Sequence, residues 1–314
     1  MKGINISSAI MLLIIVLNTA IFIISKCIKN KQEVQRSAGI KAIVILILNA
    51  ALIFCLIYFS TVIGITRYNV GSEKIPSEFD GFKILQISDF HTGTFHGGTE
   101  KLIYMVKKEK PDIVVLTGDL IDENNVNLVP VTRLVSQLTP TLPVYAVSGN
   151  HDVWYYNFEK YQNMLRKFGV TILENKKVIL RRGKAEINLY GIGDPYTWND
   201  KSAEEYLNES ITGLKPSTGY NILLFHRANM FDAIKGKGFQ LVFSGHMHGG
   251  QLQIPFRGGL ISPQQNRRWF PAYTDGRWTE ADTTMLVSRG LGNNVPVPRF
   301  LNPPEIVVAT LRSK

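Results

Sequence analysis

The sequence predicts an α/β domain, a layered sandwich of two mixed β-sheets flanked by helices, preceded by a pair of apolar membrane helices. Three observations carry that prediction. From Phe82 onward, apolar runs of four to six residues alternate with amphipathic stretches, the pattern of buried, partly parallel strands joined by helices. Further on, Val170–Leu180 and Glu186–Gly191 follow each other through Arg181–Lys184 and read as antiparallel strands, so a second sheet packs on the first. Ahead of all this stand two uncharged stretches, Ile4–Ser25 and Ala42–Ile65. Each is long enough to cross a hydrocarbon core of ~30 Å as a helix rising ~1.5 Å per residue.

Ile4–Ser25 lacks a small-x-small cleavage site and runs into Lys26-Cys27, so it reads as a retained helix rather than a signal peptide. The intervening loop carries Lys26, Lys29, Lys31, Arg36 and Lys41 against Glu33 alone. The positive-inside rule puts such a loop in the cytoplasm, and everything after residue 66 on the far side of the membrane. The expected division is a transmembrane hairpin over 1–66, a polar linker over 67–81 marked by Gly71, Pro76 and Gly81, and one large domain over 82–314. The net charge of +10 divides evenly: residues 1–66 hold six basic residues and one acid, and the rest holds 29 and 24. Half of the excess thus belongs to membrane topology, and the mild remainder argues against a nucleic-acid footprint while suiting an anionic substrate or surface. Both cysteines, Cys27 and Cys55, precede the large domain, which therefore uses neither disulfides nor thiolate ligands.

Within that domain, Lys83–Ser88 reads as the first strand. Thr99–Lys110 follows as a helix with Leu102, Ile103 and Val106 on one face, stopped by Pro111. Strand Asp112–Thr117, a helix near Asn127–Gln137, strand Val144–Ser148 and helix Phe158–Phe168 continue the alternation, with Gly169 as the stop. After the antiparallel pair come strand Tyr220–Phe225, a helix near Met230–Lys235, strand Leu241–Ser244, and the shorter pieces Gln251–Ile254, Thr284–Ser288 and Ile306–Leu311.

The chemistry-bearing residues sit where these runs end. Ser244-Gly-His246-Met-His248-Gly-Gly-Gln251 places two histidines two apart, on one side of an extended chain, between glycines that mark a turn. Of the remaining histidines, His91, His151 and His226 each follow their own apolar run, and Asp112–Thr117 ends in Gly118-Asp119-Leu-Ile-Asp122. Carboxyl ends of parallel strands open on one crevice. That crevice gathers Asp89, His91, Asp119, Asn150, His226, His246 and His248, an oxygen and nitrogen set without sulfur. The set fits Zn, Mn or Fe and has too many imidazoles for Ca or for Mg alone. Seven candidates exceed what one tetrahedral ion with an open position uses. Two ions sharing a carboxylate use them all, and a pair ~3.5–4 Å apart clamps a phosphoryl group.

Asp89-x-His91, Gly118-Asp119-x-x-Asp122, Gly149-Asn150-His151-Asp152, His226 and Gly245-His246-x-His248, in this order, resemble the calcineurin-like metallophosphoesterase superfamily. The resemblance covers about Phe82–Leu311. Gly249-Gly-Gln251, Pro255-Phe-x-Gly258-Gly259-Leu260, Ser288-Arg-Gly-Leu-Gly292 and Pro303-Pro-Glu305-Ile306 are similar to its bacterial, membrane-associated branch of small phosphoesterases. The resemblance implies that Asp89, His91 and His248 hold one divalent metal, that Asn150, His226 and His246 hold a second, and that Asp119 bridges them. It implies further that His151 acts beside the substrate, oriented by Asp122, and that a hydroxide held between the metals attacks phosphorus. The expected activity is hydrolysis of phosphodiesters or small phosphomonoesters at the membrane, with lipid-linked or envelope-precursor phosphates as one substrate class. A scaffold that keeps the fold without catalysis and a metal-dependent nuclease are the alternatives.

Two positions depart from the family pattern. The fourth block reads His226-Arg227-Ala228 where His-x-Pro is common. Glu123 stands after Asp122 where the protein-phosphatase branch has arginine, which argues against phosphoprotein substrates. Arg227, beside a candidate ligand, and His96, near Gly97-Gly98, are candidate substrate contacts. Arg267-Arg268-Trp269-Phe270 combines charge with aromatic rings in a way that suits lipid headgroups. Asp152 reads as structural.

Overall fold

The computed structural model describes residues 18, 31–93, 98–123, 126–195, 202–261, 269–293 and 299–314. The first expected membrane helix, Ile4–Ser25, lies outside them apart from Asn18. The second is helical: Lys31–Thr61 forms one helix of 31 residues. Its described side chains run unbroken only over 41–55, and among the described residues no helix is long and apolar enough to cross a membrane. Along that stretch Ile43, Leu46, Ile47, Leu48, Ile53 and Phe54 are all exposed.

Among the described residues fourteen strands follow: β1 (Gly64–Ser72), β2 (Lys83–Ile87), β3 (Ile113–Thr117), β4 (Val144–Val147), β5 (Thr171–Ile172), β6 (Lys176–Arg182), β7 (Ala185–Ile192), β8 (Asn221–Arg227), β9 (Leu241–Gly245), β10 (Gln253–Ile254), β11 (Gly258–Gly259), β12 (Gly276–Glu280), β13 (Thr283–Val287) and β14 (Glu305–Ser313). One sheet has the order β1-β14-β2-β3-β4-β5, the other β12-β13-β9-β8-β7-β6, and β10-β11 is a separate hairpin. The central strands β2, β3 and β4 are parallel, as are β7, β8, β9 and β13. Strand alternation sorts side chains into layers. Ile84, Val115 and Val147 meet Leu189, Ile222, Leu224 and Phe243 between the sheets. On the other face of the first sheet, Leu85, Ile87, Val114 and Leu116 pack under helices Gly98–Glu109, Leu128–Leu138 and Phe158–Lys167. Tyr190, Leu223, Phe225 and Val242 do the same for the second sheet under helices Ala203–Leu214 and Phe231–Ile234. The two-sheet sandwich with outer helices is therefore as the sequence predicts.

Four local features differ. The expected linker is a strand in its first half: β1 pairs along its whole length with β14, from Gly64 opposite Glu305 to Ser72 opposite Ser313. An edge strand buries little, here only Val70, so its polar composition hid it. Val170–Leu180 is not one strand. Thr171–Ile172 pairs with β4 and Lys176–Arg182 with β7, and the chain changes sheets between them, with Asn175 at φ 52. The helix Ala203–Leu214 was not expected, although Ser202 and Glu205 form a capping box at its start. The helix near Met230–Lys235 is a single turn, Phe231–Ile234, after a 3-10 turn over Ala228–Met230.

The carboxyl ends of the two sheets are tied together directly below the crevice. Buried Gln86 donates from Nε2 both to Thr117 Oγ1 (2.8 Å) and to Ser244 O (2.8 Å), joining β2, β3 and β9. A side-chain amide that spans two sheets at this level fixes their spacing where the loops begin.

Candidate metal centre

The loops leaving β2, β3 and β9 turn sharply, and the turns carry the functional side chains. Five of the seven candidate ligands have left-handed backbone: Asp89 (φ 50), His91 (φ 44), Asp119 (φ 52), His246 (φ 73) and His248 (φ 47). Such conformations cost of order 1–3 kcal/mol each in non-glycine residues and persist where neighbours over-determine them. Here the neighbours do so. Asp89 N–H donates to Gly118 O and His91 N–H to Asp119 O (both 3.0 Å), zipping the first two loops together. Gly245 lets β9 close on them: a Cβ there would lie 2.0 Å from Ser88 Oγ and 2.3 Å from Asp89 Oδ2. Asp152 accepts from the N–H groups of Asp119 (2.8 Å), Leu120 (3.0 Å), Ile121 (3.3 Å) and Gly149 (2.9 Å), holding the Asp119 turn against the Asn150 turn. Its structural reading from sequence stands.

All seven residues are buried, and six of them, all but Asn150, come together in two groups. Ligand atoms of Asp89, His91 and His248 lie within 4.8 Å of one another, and so do those of Asp119, His226 and His246. His91 Nε2 faces His248 Nε2 at 3.2 Å, and His248 Nε2 lies 3.4 Å from Asp89 Oδ1. In the second group His226 Nε2 is 3.1 Å from Asp119 Oδ2. The His226 ring is oriented by Nδ1–H, which donates to Thr117 O at 2.8 Å and leaves Nε2 facing the crevice. Asn150 Oδ1 and His246 Nε2 have no hydrogen-bond partner among the described residues. A buried polar atom without a partner costs about 1–3 kcal/mol. Two such atoms, beside imidazoles that face each other nitrogen to nitrogen, fit cations bound in the crevice.

Burial and mutual charge set the protonation of the metal-free centre. Burial pushes the Asp89 carboxyl up to about 6, against the pull of His226. Burial acts the same way on Asp119, but His226, His151 and His91 outweigh it and hold this carboxyl well below its usual range. Burial alone would lower His226; Asp119 overrides it and raises the ring to about 10. His91 is lowered to about 3, and His246 and His248 well below their usual value, all chiefly by burial. The metal-free centre thus holds a charged Asp119–His226 pair among neutral imidazoles ready to ligate.

His151 lies at the rim, its Nε2 3.9 Å from Asp119 Oδ2 and its N–H donating to Asp119 Oδ1 at 2.8 Å. The direct partner of its Nδ1 is Glu123 Oε2, not Asp122. Asp122 belongs to the same cluster, but its own N–H is tied to Thr92 Oγ1 (3.2 Å) and the longer Glu123 side chain is the one that reaches the ring. Burial lowers His151, and Asp119 and Glu123 more than reverse this, so its pKa is raised. Arg227 is not free for substrate in the way the sequence suggested. Its Nε and Nη2 clamp the two oxygens of buried Asp194 at 2.7 and 2.8 Å. His96, Arg267 and Arg268 lie outside the described residues, whereas Trp269 and Phe270 are exposed.

Sequence reasoning missed Arg299 and Asn302. Buried Arg299 donates to Gly292 O (2.6 Å) and Arg289 O (2.8 Å), and its Nη2 sits 3.3 Å from His248 Nδ1. Asn302 Nδ2 donates to His248 O (2.7 Å) and Gln251 O (3.1 Å), pinning the His248 turn. Their only sequence signal is their place in the Pro-rich tail, which says nothing of contact.

Residues 82–250 match the family model of the calcineurin-like phosphoesterases. An uncharacterised metallophosphoesterase of Bacillus subtilis, YkuE, is 32% identical over 257 residues, 79% of this chain and 85% of that protein. An uncharacterised metallophosphoesterase of Aquifex aeolicus is 31% identical, over 80% of this chain and 92% of that one. The phosphodiesterase YaeI of Escherichia coli is 25% identical, over 68% of this chain and 76% of its own length.

Proposed function

The chain belongs to the calcineurin-like phosphoesterase family of metal-dependent phosphoester hydrolases, and we propose that it is a membrane-anchored, two-metal member acting on phosphodiesters or small phosphomonoesters, lipid-linked ones among them. The observation that carries this reading is the position of Asp119. Its carboxylate belongs to the His226–His246 group through Oδ2, and its turn is bonded to that of the first group, His91 N–H donating to Asp119 O at 3.0 Å. In this reading Asp89, His91 and His248 hold one cation, Asn150, His226 and His246 the other, and Asp119 both. Oxygen and nitrogen donors without sulfur favour Mn, Zn or Fe. When bound, such a pair lowers the pKa of a water and clamps phosphoryl oxygens.

The chain's own side chains do the rest. Asn150 contributes a neutral oxygen and so leaves the centre positively charged toward phosphate. His151, raised by Asp119 and Glu123, holds a proton at the rim where a leaving oxygen departs. The phosphodiesterase YaeI among the relatives supports phosphodiesters as one of these substrate classes. The uncharged run Ala42–Ile65 and the exposed apolar side chains of its helix support anchoring, and the basic loop before it supports a catalytic domain outside the cytoplasm. The test is hydrolysis of bis(p-nitrophenyl) phosphate by the detergent-solubilised full chain with Mn²⁺. Turnover that chelation removes and Asp119→Asn abolishes is expected; turnover indifferent to both contradicts the reading.

A further inference from the structure

The strand register fixes which edge of the sandwich the apolar helix adjoins. β14 runs antiparallel to β2, with Val307 opposite Gln86, so its first residue, Glu305, lies at the carboxyl end of β2, the end from which Asp89 follows. β1 runs parallel to β14 with Gly64 opposite Glu305. The start of β1 is therefore on the catalytic edge too, and only Val62 and Ile63 separate it from the helix end at Thr61. This joint is built into the core. Ile63 is buried with Ile87, Phe90, Leu291 and Ile306, and Gly64 N–H donates to Pro304 O at 2.7 Å. The helix thus meets the domain beside the metal centre and not at the opposite edge.

A second structure rises from the same edge. The β10-β11 hairpin carries at its tip Phe256, fully exposed at φ 65, and Arg257, whose guanidinium lies 4.7 Å from the Phe270 ring centre. Trp269 is 66% exposed and pairs with Ile261, while Phe270 N–H donates to Leu260 O (2.9 Å). This aromatic group hangs directly from the ligand turn. Gly250 O, two residues after His248, accepts from Leu252 (2.7 Å), Leu260 (3.2 Å) and Ile261 (3.0 Å). Gly250 packs so closely on β11 that a Cβ would lie 2.4 Å from Gly259 Cα. The base of the hairpin is joined to the helix foot by a short stretch: Gln253 N–H donates to Phe300 O (2.9 Å), and Pro304 accepts from Gly64.

Exposed Phe and Trp beside arginine are the side chains that settle at the boundary between acyl chains and headgroups. Three exposed aromatic side chains gathered at one hairpin, Phe256, Trp269 and Phe270, form an apolar patch of the kind that marks a membrane or partner surface. We propose that the Phe256 tip and Trp269–Phe270 seat in the interface of the same bilayer that holds the chain's apolar helix, so that the metal centre opens onto the membrane surface and takes phosphoesters of membrane lipids. This inference rests on the membrane-anchored reading above. The surplus of 29 basic over 24 acidic residues after position 66 suits an anionic surface.

The test uses the full chain reconstituted into vesicles of phosphatidylcholine with phosphatidylglycerol, some of whose acyl chains are brominated. Bromine quenches the emission of an indole at the acyl boundary, and Trp269→Phe should remove that quenched fraction. Phe256→Ser with Trp269→Ser should lower the ratio of phosphatidylglycerol hydrolysis to bis(p-nitrophenyl) phosphate hydrolysis about tenfold. Equal quenching in wild type and Trp269→Phe, an unchanged ratio, or self-association of the full chain through these aromatics in place of quenching would overturn the proposal. Hydrolysis of the soluble diester without quenching removes the membrane-facing centre and leaves the phosphoesterase reading intact; quenching with no hydrolysis of either diester does the reverse.

Discussion

Asp152→Asn isolates the part of the framework that holds Asp119 in place. Asp152 is buried, and each of its oxygens accepts two backbone N–H groups: Oδ1 those of Leu120 and Ile121, Oδ2 those of Asp119 and Gly149. Asparagine keeps the volume and one acceptor, and turns an NH₂ group toward the other two donors. Two buried N–H groups lose their partner at about 1–3 kcal/mol each; burial raises the Asp152 carboxyl to about 7, so only part of a charge is lost with them at neutral pH. The amide turns its NH₂ toward the longer pair of contacts, Leu120 and Ile121 at 3.0 and 3.3 Å, which favours the lower part of that range, so the expected loss is about 3 kcal/mol. At about 2–4 °C per kcal/mol for a domain of this size, the unfolding midpoint of the metal-free chain falls about 6–12 °C. The Asp119 and Asn150 turns loosen together, so Mn²⁺ affinity by calorimetry weakens about tenfold or more. A midpoint within about 2 °C of wild type with unchanged metal affinity would show that the four contacts do not carry the turn.

Glu123→Gln should slow turnover about tenfold and move the alkaline limb of the pH–rate profile to lower pH, because His151 loses the partner that helps to raise its pKa and activity is lost as the acid form titrates away. Asp122→Asn should shift that limb less; the reverse order would restore the orienting role that the sequence suggested for Asp122. Metal binding should be linked to proton release. Asp119 raises His226 to about 10, so at neutral pH the metal-free ring is charged, and a cation at Nε2 displaces its proton. Affinity should therefore climb as pH rises toward that value, by up to about tenfold per unit for one proton, and more steeply below about 6 where Asp89 also gains a proton. Titration calorimetry in two buffers of different ionisation heat reads the proton count, and an affinity that is flat between pH 6 and 9 would count against the charged pair.

The gathering of the candidate ligands was legible because they follow apolar runs, and parallel strands bring the ends of such runs to one edge. Periodicity and turn signals suffice for that. What stayed hidden depends on contacts that periodicity does not encode. Asp122 and Glu123 are neighbours in sequence, and the course of one turn decides which reaches His151. Arg227 looked available beside a ligand, yet it is committed to Asp194, 33 positions away, on the loop after β7. β1 escaped notice because an edge strand needs backbone pairing and little apolar surface, so its glycine and polar residues resembled a linker. Arg299 reaches His248 from a segment whose composition suggests only an irregular tail.

Anomalous scattering at the Mn edge from crystals of the full chain grown with Mn²⁺ is the most direct measurement of the central claim. Two peaks about 3.5–4 Å apart, with Asp119 in contact with both, are expected. A single peak, or two peaks that do not share Asp119, would contradict the account.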